Sequence, residues 1–141
     1  MGEAWGILVF LLVEAVIGAG VAASVSLPSS PTYSQVFVTY PILTAHIVLA
    51  FLLLGATAHQ FVRTRRIGVP GLPWKTGVAF LFVLFAFQEG LSFTFTSNNA
   101  FAGGMVLGFL GALLVQAWVL LGLRRHRAVD GAPKAPPTNP A

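Results

Sequence analysis

The stretch YPILTAHIVLAFLLLGATAHQFV, Tyr40 to Val62, decides the fold. It is the length a helix needs to cross about 30 Å of hydrocarbon, and it holds no Lys, Arg, Asp or Glu. A buried helix of a soluble domain rarely stays apolar for so long. Working outward, three similar stretches follow the same rule. They run from about Trp5 to Ser26, from Trp74 to Phe95 and from Phe101 to Leu123. Breaks rich in Pro, Gly and Asn separate them: Leu27-Pro28-Ser29-Ser30-Pro31, the segment Arg65 to Pro73, and Ser97-Asn98-Asn99. Such residues end helices through lost donors and unusual backbone angles. The reading is an all-α integral membrane four-helix bundle over residues 1–127, with a disordered, Pro-rich tail over 128–141.

Composition agrees. Of 141 residues, 56% are hydrophobic and 9% are charged, where a soluble domain carries about 25% charged residues. A water-exposed surface cannot be built from that. The chain has no cysteine, which removes disulfides, thiolate metal sites and thiol redox chemistry from it. Small residues at Gly18 to Ser24 resemble a signal-peptide cleavage site. However, Met1 to Ala4 contain no Lys or Arg, so the first stretch is read as a span rather than a cleaved leader.

The net charge of +4 points to orientation, not to nucleic acid. Arg63, Arg65, Arg66 and Lys75 flank the second connection, and Arg124, Arg125, Arg127 and Lys134 follow the fourth span. The other two connections have no basic residue. The positive-inside rule then puts both termini in the cytoplasm, in a multi-pass protein of the cell membrane. Trp5, Tyr40, Trp74 and Trp118 lie at or near span ends, as interfacial aromatics do, with Trp118 about a turn deeper than the rest.

The second and fourth spans align without gaps: Ala45-His46-Ile47-Val48-Leu49-Ala50-Phe51-Leu52 against Gly103-Gly104-Met105-Val106-Leu107-Gly108-Phe109-Leu110. The preceding helices offer Val13-Glu14 with Gly18 against Gln88-Glu89-Gly90. Two helical hairpins related by internal duplication would give this pattern, with His46 in one half where the other has Gly104.

Polar residues inside the spans are the candidate site, because each costs roughly 2.5–3.5 kcal/mol at the bilayer centre. Glu14, Glu89, Gln88 and His46 qualify as a polar or proton relay. Glu14 is either glue across a close helix contact or a relay acid near a quinone. Antiparallel helices put Glu89 at the depth of His46, so a Glu89–His46 pair is expected, orienting one ring nitrogen and freeing the other. His46 and His59 lie thirteen residues apart, or about 220° around the helix, so they cannot share one small ligand. His59 reads as interfacial and His126 as solvated. Gly104-x-x-x-Gly108, with Gly111 and Gly18, reads as a close helix-packing surface or as room for a flat cofactor.

Duplicated hairpins with a histidine near the outer start of the second helix resemble the heme A synthase family and, more broadly, small membrane b-type cytochromes. Thr44 to Phe51 carries the resemblance. It implies heme b, with His46 as the metal's axial ligand. Gly104 stands where that family's second hairpin would supply another ligand. Met105, a second His46 from a neighbouring copy, or no second ligand are the alternatives. Three functions are therefore expected. The first is a small subunit, without a catalytic centre, of a larger respiratory or electron-transfer complex. The second is a heme-b-binding protein. The third is a transporter or channel subunit with Glu14 and Glu89 in its path. The expected partners are other membrane subunits, a homo-oligomer and the bilayer. No catalytic triad, phosphate loop or metal cluster suggests an enzyme.

Overall fold

The computed structural model of the chain describes residues 2–28, 30–96 and 98–130. Four helices account for most of it: α1 (Gly2–Ser24), α2 (Pro41–Ile67), α3 (Leu72–Thr96) and α4 (Asn99–Asp130). A short π-helical turn, Gln35–Thr39, leads into α2. All four helices are long and apolar enough to cross a membrane. Their outward faces are inside-out by soluble standards. Val16 and Leu114 are each 73% exposed and Leu107 is 68% exposed, an arrangement suited to lipid rather than to water.

The helix ends follow from local chemistry. Pro41 opens α2, where a missing N–H costs nothing. Arg65 and Arg66 in its last turn meet the negative end of the helix dipole. Gly68 then takes the left-handed conformation (φ 73°) that closes it. Arg65 and Arg66 are thus helical, although the sequence puts them in the break. At the other end α4 continues to Asp130, past the expected boundary at residue 127. The rest of the proposed tail, 131–141, lies outside the described residues.

The bundle is antiparallel, with the order α1–α2–α3–α4 closing back on α1. Three apolar tiers stack along its axis. Ala4, Leu72, Val119 and Leu120 pack at the basic end. Ile7, Leu11, Leu53, Val83 and Ala112 fill the middle. Val21, Val36, Leu43 and Ile47 pack at the far end.

The α3–α4 hairpin is the tightest contact, and a glycine ladder makes it so. A Cβ added at Gly108 would lie 2.8 Å from the Cβ of Ala86 and 2.9 Å from its backbone nitrogen. One at Gly111 would lie 2.5 Å from the ring of Phe82, and one at Gly104 would run into the carboxylate of Glu89. Positions 104, 108 and 111 share one helix face, as do 82, 86 and 89.

Buried polar groups at the basic end join neighbouring helices. Thr64 and Thr76 hydroxyls share a 2.7 Å hydrogen bond between α2 and α3, and Gln116 Nε2 donates to the Ala4 carbonyl at 2.9 Å. Interhelical bonds of this kind average about 0.6 kcal/mol in membranes and reach about 1.7. Thr76→Val, which keeps the shape and removes the hydroxyl, is expected to cost about 1 kcal/mol in a reversible unfolding titration in mixed micelles. A loss above about 3 kcal/mol would mean the pair does more than join two helices. The depth of Trp118 also has a local cause: the Lys75 ammonium sits 4.4 Å from its ring centroid. Arg124 lies 5.6 Å above Trp5 in the same manner.

Candidate functional site

Glu14 and His46 meet in the interior. Glu14 Oε1 lies 2.9 Å from His46 Nδ1, with the side chains 0% and 12% exposed. The expected partner, Glu89, is elsewhere. It lies on the α3 face that meets the glycine ladder, against Gly104 of α4. Equal depth therefore did not make Glu89 and His46 a pair. Depth fixes the level of a residue but not its direction around the helix. The α3 residues that line the cavity include Val83, Ala86, Phe87, Gly90, Phe93 and Thr94; the Glu89 side chain instead turns to α4, against Gly104. Gln88 is exposed on the outside of the bundle.

The Glu14–His46 contact is close but not an aligned hydrogen bond. Both Glu14 oxygens and His46 Nδ1 are buried without a well-directed partner among the described residues. The separation outweighs the imperfect angle here, since a carboxyl and an imidazole at 2.9 Å form a net-neutral pair that hydrocarbon tolerates far better than either charge alone. Gly18, one turn beyond Glu14, makes the room. A Cβ there would be 3.0 Å from His46 Cε1.

Beside the pair lies a cavity of about 460 Å³ between all four helices, in the half of the bundle away from the basic end. His46 and Gly18 form one wall; Phe87, Gly90, Met105 and Phe109 contribute to the others. Its lining is mostly apolar. The thioether Sδ of Met105 rests where a Cβ on Gly90 would come within 3.2 Å. Gly104 is absent from the lining, because Glu89 occupies its face. His46 Nδ1 faces Glu14, whereas Nε2 has no partner among the described residues and is not sealed off. The imidazole thus lines the cavity with its Nδ1 turned to the Glu14 carboxyl.

Among the described residues, no group of three His, Cys, Asp or Glu side chains could hold a bare metal ion. His59 is 70% exposed at the basic end, 3.8 Å from Glu3, and takes no part in this site.

The middle tier of Ile7, Leu11, Leu53, Val83 and Ala112 lies between Glu14 and the basic end. Glu14 is eleven residues beyond Glu3 on α1, a rise of about 16 Å. Access to the pair is therefore from the cavity and not from the basic end. The sequence contained a signal for the pair that the depth argument overlooked: Glu14-x-x-x-Gly18 sets a carboxyl one turn from a gap of imidazole size.

Fold and site together define a four-span helical membrane bundle with a half-open, histidine-bearing cavity between its helices. Comparison of the chain with protein-family models, with curated proteins and with solved structures finds no match.

Proposed function

We propose that the chain is a multi-pass subunit of an electron-transfer complex in the cell membrane, and that it holds a heme b in the cavity through His46. One observation carries this: an imidazole whose Nδ1 lies 2.9 Å from a buried carboxyl lines a cavity of about 460 Å³. Flat cofactors and drug-sized ligands occupy cavities of roughly 300–1,000 Å³ lined mainly by apolar groups with few polar ones. A carboxylate on the second ring nitrogen is also the usual way an imidazole ligand is oriented and made more basic. Met105 shares the cavity, and its thioether would be available as a second ligand to the heme iron. Glycines at 18 and 90 keep the walls close to these two side chains. A bound heme would supply one-electron chemistry; the chain would orient its ligands and exclude water.

The test is optical. Protein purified in mild detergent is expected to show a Soret band, and His46→Ala is expected to abolish it with the helical content unchanged. Colourless wild-type protein purified from cells supplied with heme precursors would overturn the heme assignment.

A cofactor-free packing subunit is the second reading. A Cβ added at the exposed Gly55 or Gly103 would meet nothing within 4 Å. Such open notches let a helix of another subunit, or of a second copy, approach closely. Native mass in detergent, larger than one chain, is the expected result. The apolar tier below Glu14 favours binding over conduction, so the transporter reading has less to rest on.

On this reading both termini are cytoplasmic, since the basic residues gather at the end where α2 and α4 finish. The hairpins descend from one ancestral pair. In each, a first-helix glutamate meets the second helix: Glu14 at His46, and Glu89 at Gly104, the aligned counterpart of His46.

A further inference from the structure

Basic side chains at one end of the bundle are not equivalent. Arg65 lies over Phe61, Lys75 over Trp118 and Arg124 over Trp5. Each of these cations is anchored to a ring. Arg63 is tied by Nη1 to Glu3, which fixes the guanidinium and leaves its other donors without partners among the described residues. Arg66 has no partner among those residues at all. These two arginines, with His59, Val62 and Ile67, line a shallow groove on the outside of α2. The spacing 59, 62–63, 66–67 puts them on one helix face. Val62 and Ile67 are about half exposed.

We infer that this groove is a binding site for the headgroup of an anionic phospholipid. The arginines offer fork-shaped donors that match phosphate oxygens. Val62 and Ile67 are apolar neighbours for the acyl chains. The site lies at the level where helix-end cations meet headgroups, and each such cation contributes attraction to anionic lipid. Other occupants fit less well. A second copy would bring the same cationic face. The chain has four acidic residues: Glu3 is already in the cluster, Glu14 and Glu89 lie within the bundle, and Asp130 is the only one near the tail.

The test uses the full chain in detergent, titrated with phosphatidylglycerol or phosphatidylcholine and followed by native mass spectrometry. Phosphatidylglycerol is expected to bind about tenfold more tightly, as two arginines at the headgroup level imply. Arg63→Gln/Arg66→Gln is expected to erase that preference, whereas Arg125→Gln, at the same end but outside the groove, is expected to keep it. Should loss of the Glu3 contact unfold the double variant, Arg66→Gln alone is expected to reduce the preference severalfold. Equal affinity for the two lipids, or a preference that survives in both groove variants, overturns the site. None of these outcomes depends on heme.

Discussion

Gly108→Leu is expected to destabilise the bundle by on the order of 3 kcal/mol, at the upper end of overpacking costs. The reason is positional. A Cβ at residue 108 would come within 2.9 Å of the backbone nitrogen of Ala86, and within 2.8 Å of its Cβ. Backbone cannot rotate away as a flexible side chain can. To relieve the contact, α3 and α4 must separate along the ladder, which also opens the neighbouring contacts of Gly104 and Gly111. Gly103→Leu is the matched control, because a Cβ there meets nothing within 4 Å. It adds the same side chain on the same helix and is expected to cost less than 1 kcal/mol in monomeric protein. Unfolding titrations in mixed micelles read both. Equal losses would mean that the glycine ladder is not what holds the hairpin together.

Glu14→Ala is expected to have an effect of similar size, for a different reason. It leaves the His46 imidazole with no carboxyl facing its buried Nδ1. Leaving a buried polar group without the partner it faces typically costs about 1–3 kcal/mol. His46→Ala strands the fully buried Glu14 carboxyl in the same way. The double variant strands nothing, so its loss is expected to be smaller than the sum of the two single losses by more than 1 kcal/mol. Additivity within about 0.5 kcal/mol would show that the two side chains are neighbours without being partners.

The sequence made the four spans legible because each obeys a one-dimensional rule: about twenty apolar residues, then a break. The ends were less legible. Arg65 and Arg66 lie in α2 because basic residues suit a helix C-terminus, and Gly68 marks its close more sharply than the charges before it do. The site was half legible. Glu14, His46, Met105 and Glu89 stood out as polar or ligand-type residues in apolar helices. Which carboxyl faces His46 depends on helix rotation about the axis, and apolar helices in lipid carry only a faint rotational pattern. The most useful rotational marks were small residues: Gly18 beside Glu14, and Gly104, Gly108 and Gly111 opposite Glu89, Ala86 and Phe82. Glycines on helices tell where a neighbour must come closest. Here they assign Glu14 to His46, and Glu89 to α4.

The proposed heme would sit in the cavity beside the Glu14–His46 pair. The most direct test of this assignment is the absorption spectrum of the full chain, purified in mild detergent after expression with heme precursors, beside the same measurement on His46→Ala. A Soret band in stoichiometric amount is expected in the first and none in the second. A wild-type protein without the band, or a band of equal strength in His46→Ala, would contradict it.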